Sequence, residues 1–171
     1  MSKTNIPAAP EGYSTVNPFI ITEEAEAVIA FISDVFGGVE VEEAKTYDTD
    51  GLILHSEMKI GNSMVAVADK KPDWPATPSL LQVYVDDVES VLEKAQKRGA
   101  IVITKPTDFL GALFARVKDT QGNLWWIYQY TGEVDWAEAS DDADGADSWE
   151  PTKEAIYIHD TLLEAMRGLK K

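Results

Sequence analysis

One interval, 61 residues, constrains this chain more than any other feature. Gly38 and Gly99 each close a helical pattern and stand 61 apart, and Gly61-Asn62 recurs at the same interval as Gly122-Asn123. Equal offsets at two kinds of landmark mark one module used twice. In the first copy an apolar run, Val16 to Ile21, precedes Ala25, Val28, Ile29, Ile32 and Phe36 at helical spacing. Strands are expected near 39–47, 52–59 and 63–68. In the second, Leu80 to Asp86 leads through Asp87, a helix N-cap by residue type, into Val88, Val91, Leu92 and Ala95. Strands are expected there near 101–103, 112–118 and 124–130. The reading is an α+β fold of two βαβββ modules, residues 13–70 and 79–131, joined by a proline-bearing connection at 71–78.

Three segments fall outside the repeat. Residues 1–12 read as a loosely attached arm. Residues 132–151 read as an acidic linker: Glu133 to Glu150 holds eight acidic residues and no basic one, with no periodic apolar face. From Pro151 the chain becomes amphipathic, and 152–171 is expected to form a C-terminal helix with Ile156, Leu162, Leu163 and Met166 docked on apolar surface. His159, on the same pattern, is expected to be structural.

Charge and composition narrow the function. Fifteen basic residues against 30 acidic ones give a net charge of -15, which repels nucleic-acid phosphate and anionic membrane surfaces. No cysteine is present, which excludes disulfides, thiolate metal sites and cysteine nucleophiles together. No apolar run approaches the roughly 20 residues of a membrane span. These features lead us to expect a cytoplasmic protein with a small-molecule partner, without nucleic acid or membrane.

The stretches NPFIITEEAEAVIAFISDVFGG, LILHSEMKIGNSMVAVAD, LLQVYVDDVESVLEKAQKRGA and RVKDTQGNLWWIYQ, in this order, resemble the vicinal oxygen chelate superfamily. That superfamily includes glyoxalase, extradiol dioxygenases and bleomycin-resistance proteins, and the likeness is strongest to its glyoxalase-like and bleomycin-resistance-like branch. It covers residues 13 to 131 and implies that the two modules pair into a curved mixed sheet with a concave cup. Metal-using members carry His, Gln or Glu on the first and last strands of each module. The aligned positions here are Asn17, Val65, Leu80 and Trp126. Three of these cannot ligate through their side chains, and an amide is a poor sole anchor, so neither metal nor other cofactor is expected.

Strand parity identifies the residues of the cup, because alternate side chains face opposite sides of a sheet. Leu52, Leu54 and Met58 should meet the helices, leaving Ile53, His55, Glu57 and Lys59 on the other face. The 61-residue step carries His55 onto Arg116 and Glu57 onto Lys118. On 80–86, Gln82 and Tyr84 fall in the cup. On the last strand both faces are apolar, and the alignment puts Trp126 and Tyr128 inside and Trp125 in the core. The expected ligand contacts are therefore Asn17, Phe19, His55, Glu57, Gln82, Tyr84, Phe114, Arg116, Trp126 and Tyr128. Apolar walls with sparse polar groups are the usual make-up of a small-molecule pocket.

His55 and Glu57, two apart on one strand face, could form an acid–base pair or two metal ligands; equally, they could be a plain hydrogen-bonded pair. No phosphate-binding glycine loop, dinucleotide fingerprint or nucleophile elbow is present. Three readings follow. The first is a metal-free binding protein, a homodimer holding a planar or partly aromatic molecule. The second is a metal-dependent glyoxalase-like lyase, isomerase or dioxygenase, and the third a protein-interaction module acting through its C-terminal extension.

Overall fold

The computed structural model describes residues 7–132 and 151–169. The expected acidic run, Glu133 to Glu150, and the first six residues of the arm lie outside them. The chain divides between Ser79 and Leu80 into two compact units.

The first unit runs β1 (Phe19–Thr22), α1 (Ala25–Phe36), β2 (Val39–Glu40), β3 (Thr46–Tyr47), β4 (Ile53–Ile60) and β5 (Ser63–Asp69). Its sheet has the order β1-β5-β4-β2, with β3 also on β4; β1 is parallel to β5 and the other pairs are antiparallel. The strand expected from Val16 begins only at Phe19. Pro18 has no N–H to give to a ladder, and Asn17 is bonded to Ser14 in a local turn. The strand expected over 39–47 is broken by a single 3-10 turn at Glu42–Ala44, where the apolar alternation ends in two successive glutamates.

Helix α1 buries Ala25, Val28, Ile29, Phe31, Ile32 and Val35. Asp69 fixes its start: one carboxylate oxygen accepts from Ala25 N and the other from Ile53 N, both at 2.7 Å, tying the helix to β4. Gly37, at φ +66°, ends the helix in the left-handed conformation that glycine adopts without strain.

The second unit repeats the plan with β6 (Leu80–Tyr84), α2 (Val88–Lys97), β7 (Ile101–Phe109), β8 (Ala112–Lys118) and β9 (Leu124–Tyr130), in the order β6-β9-β8-β7. β6 is parallel to β9. Asp87 caps α2 by accepting from Ser90 N, as its residue type implied. β7 is three times the expected length, and it holds Pro106 because it is an edge strand with register shifts on either side of Thr104.

Cross-strand partners give the relation between the two modules. Phe19, Ala66 and Glu57 form one rung in the first sheet; Leu80, Leu124 and Lys118 form one in the second. A step of 61 thus relates β1 to β6 and β4 to β8, whereas β5 and β9 are related by a step of 58. The repeated Gly-Asn pairs are therefore not equivalent. Gly61-Asn62 is a two-residue turn between the partners Ile60 and Ser63. Gly122-Asn123 ends a five-residue connection between Lys118 and Leu124. Asp119 organises that connection: its carboxylate accepts from Gln121 N, Asn123 N, Asn123 Nδ2 and the Trp125 indole N–H at 2.9–3.0 Å.

The third helix, α3 (Lys153–Gly168), is capped by Thr152, whose hydroxyl accepts from Ala155 N. It packs on β7 within the second unit, on the sheet face opposite α2. Its contact face is only partly the expected one. Ile158 and Ala165 are buried and Leu162 is half-buried beside them, while Ile156, Leu163 and Met166 remain 37–45% exposed. The reason is polar: Thr161, between Ile158 and Ala165, meets the Thr104 hydroxyl at 2.8 Å, and Tyr157 accepts from Lys105 N at 3.0 Å, so these contacts set the helix rotation.

Candidate functional site

In the first unit β4 presents His55 and Glu57 on the face away from α1. His55 Nε2 lies 3.0 Å from a Glu57 carboxylate oxygen, and the Tyr13 hydroxyl donates to the other. The tyrosine bond, followed by that of His55, holds the Glu57 carboxyl below its usual range, while the same contact raises the Tyr13 hydroxyl. Phe19, half exposed, sets its ring edge-on to the imidazole at 5.8 Å. Asn17 takes no part in this group, since both ends of its amide bond Ser14. Tyr13 was not among the sequence candidates; nothing in its neighbourhood signals a partner 44 residues away.

Parity failed at the start of β4. Ile53 is 2% exposed and Leu54 53%, the reverse of the expectation for Leu54. One step along β3, from Thr46 to Tyr47, spans two steps along β4, from His55 to Ile53, so Leu54 is the unopposed residue of a bulge.

In the second unit the face away from α2 gathers Leu80, Gln82 and Tyr84 of β6, Trp126 and Tyr128 of β9, and Phe114 and Arg116 of β8. The register pairs Gln82 with Trp126 and Trp126 with Arg116, then Tyr84 with Tyr128 and Tyr128 with Phe114. Trp125 points the other way, fully buried in the core. The rings form a run: Tyr84 and Tyr128 centroids are 5.5 Å apart, and Tyr128 and Phe114 4.8 Å. Gln82 donates to the Tyr84 hydroxyl.

Arg116 sits at the end of this run, 4% exposed. Its guanidinium carbon lies 4.6 Å from the Phe114 ring and 4.9 Å from the Trp126 ring, a cation between two aromatic faces. Nη1 donates to Thr104 Oγ1 at 3.2 Å and to the Ile158 carbonyl oxygen of α3 at 2.6 Å. Burial pushes the guanidinium pKa down, and no carboxylate pairs with it among the described residues. Arg116 Nε and Trp126 Nε1 are both buried without a hydrogen-bond partner among the described residues.

The positions at which the family likeness implies a metal do not fit one. Asn17 is spent on Ser14. Val65 is buried on the helix side of β5, opposite Met58; because β5 and β9 are related by 58, the counterpart of Trp126 is Ala68. Leu80, Trp126 and Ala68 offer no side-chain ligand. Among the described residues no group of three or more His, Asp or Glu side chains gathers where an ion could be held.

Comparison with known proteins agrees with the architecture. The family model described as the Glyoxalase/Bleomycin resistance protein/Dioxygenase superfamily matches residues 15–127, ending before α3. An uncharacterized protein of Mycobacterium bovis is 26% identical over 135 residues, covering 72% of this chain and 88% of the relative. A glyoxalase/bleomycin resistance protein/dioxygenase family enzyme from Burkholderia phytofirmans has a similar fold, with TM-score 0.56 and 20% identity over 71% of this chain and 99% of that one. So has the fosfomycin resistance protein FosX from Mesorhizobium loti, with TM-score 0.51 and 15% identity over 72% and 95%. The repeated βαβββ plan and the extent of the family match lead to one conclusion: the chain belongs to the Glyoxalase/Bleomycin resistance protein/Dioxygenase superfamily.

Proposed function

We propose that the chain is a small-molecule binding protein of this superfamily that holds a planar or partly aromatic ligand without a metal. The observation that carries the reading is the ring-lined face of the second unit, where Tyr84, Tyr128 and Trp126 lie along one side of adjacent strands with Phe114, itself buried, packed beside them. Flat aromatic surface stacks on flat ligands, and Gln82 supplies a polar group at its margin. Asn17, Phe19, His55 and Glu57 are the ligand contacts that the same reading assigns to the first unit. The working form in this reading is a homodimer in the cytoplasm, which sedimentation and fractionation test. Among the described residues no helix is long and apolar enough to cross a membrane.

Tryptophan fluorescence provides the binding test. A screen of planar metabolites and antibiotics should find compounds that quench emission in the full chain and fail to do so in Trp126→Phe. A screen without such a compound would overturn the reading.

A second reading has its own support in the first unit. His55, oriented by Glu57 and in turn by Tyr13, has the arrangement of a positioned acid or base. Turnover of a screened ligand that falls at least about 100-fold in His55→Ala would favour it.

A further inference from the structure

The buried cation of the second unit is incompletely satisfied. A guanidinium has five N–H donors in a fixed plane. Arg116 is 4% exposed, and its two hydrogen bonds both leave from Nη1 and both end on neutral oxygens, those of Thr104 and Ile158. Among the described residues Nε has no partner, nor has the indole N–H of Trp126, the residue directly opposite on β9. A buried donor left unpaired costs about 1–3 kcal/mol, and native proteins contain few. Here two stand on neighbouring strands, one of them on the cation itself, which has no carboxylate partner among the described residues.

Resting on the proposed function, we infer that Arg116 Nε and Trp126 Nε1 are the recognition end of the site and take the carboxylate of an aromatic acid. A carboxylate is planar, presents two acceptor oxygens and matches the edge of a guanidinium in shape and charge. Its ring then extends along the Tyr128 and Tyr84 side of the same face. The Ile158 carbonyl holds Nη1 and turns the guanidinium so that the Nε edge is the one left for a ligand. Both donors are closed to solvent, so the acid reaches them only after the Trp126 ring or α3 shifts, and association is slower than for an open site.

The test is calorimetry on the full chain with benzoate, naphthoate and indole acetate, each against its uncharged amide. The expected result is binding of at least one acid about tenfold tighter than its amide, as a hydrogen-bonded charge requires. Arg116→Lys, which keeps the charge and loses Nε, should remove that preference, and Trp126→Phe should reduce it. Should the Arg116 variant not fold, the comparison of acid and amide on the unaltered chain decides alone. Equal affinity for acid and amide would overturn the carboxylate assignment while leaving the small-molecule reading in place. Binding of neither, together with silent tryptophan fluorescence across the wider screen, would overturn both.

Discussion

The Arg116 guanidinium on β8 donates to the main-chain carbonyl oxygen of Ile158 in α3 at 2.6 Å. This bond, with the hydroxyl pair Thr104 and Thr161, joins the C-terminal helix to the ring-lined face of the second unit. Ala165 lies on the same contact surface, 7% exposed. Ala165→Glu would force a carboxylate into that contact, which is costly without a partner. Hydrogen exchange should then rise throughout 153–168 while β8 and β9 stay protected. Unchanged protection of α3 would show that its docking does not depend on this surface.

Asp119 holds the connection that replaces a tight turn in the second module. Asp119→Ala would leave the Trp125 indole N–H and the Asn123 amide facing a buried gap. The expected loss is about 2–3 kcal/mol in urea unfolding, the range for stranded buried donors. Asp119→Asn should recover part of it, because one acceptor oxygen remains.

Glu57 gives a pH dependence with a definite sign. Its carboxyl pKa is depressed in the folded chain, chiefly by the Tyr13 hydroxyl. The stabilisation is therefore full above the ordinary carboxylate range and is lost as pH falls through the depressed native value. Tyr13→Phe should lower the melting temperature at neutral pH, and the gap to the unaltered chain should close on acidification. A constant gap across pH would exclude this coupling.

Dialysis against zinc, nickel or manganese followed by elemental analysis should leave no stoichiometric ion on the protein. At the positions implied by the family likeness, Val65, Leu80 and Trp126 lack ligand side chains and Asn17 is bonded to Ser14, while His55 and Glu57 supply only two. One ion per chain, lost in His55→Ala or Glu57→Gln, would overturn this.

Gly38→Ala probes the close of α1. A Cβ at Gly38 would stand 2.5 Å from Ile32 Cγ2, so either the buried Ile32 side chain or the backbone at Gly38 must shift. A cost of about 1–3 kcal/mol is expected from overpacking, measurable as a lower urea midpoint.

Much of this fold was legible because the repeat and strand parity are independent signals. The step of 61 related His55 to Arg116, and the register of β4 and β8 gives the same relation. β5 and β9 were misaligned because Gly-Asn occurs by chance at the same interval in a tight turn and in a longer loop. Parity could not reveal the Leu54 bulge, which depends on pairing with β3. Trp125 and Trp126 lie in a strand apolar on both faces, so parity alone could not assign them and only the alignment did; in the structure Trp125 is in the core and Trp126 stands opposite Arg116. The rotation of α3 was hidden for a similar reason: its apolar residues spread over more than one face, and threonine and tyrosine hydroxyls chose among them.

One polar group on each of the matched strands is touched by chain that lies outside the family match, Glu57 by Tyr13 and Arg116 by α3. Duplication of a module leaves two faces with the same starting chemistry, and the sheets themselves cannot diverge far without losing their packing. The outer segments carry no such constraint. Inheritance can alter the Tyr13 segment or α3 one at a time, so the polar groups of each half of a duplicated scaffold can change partners while the strands beneath stay fixed.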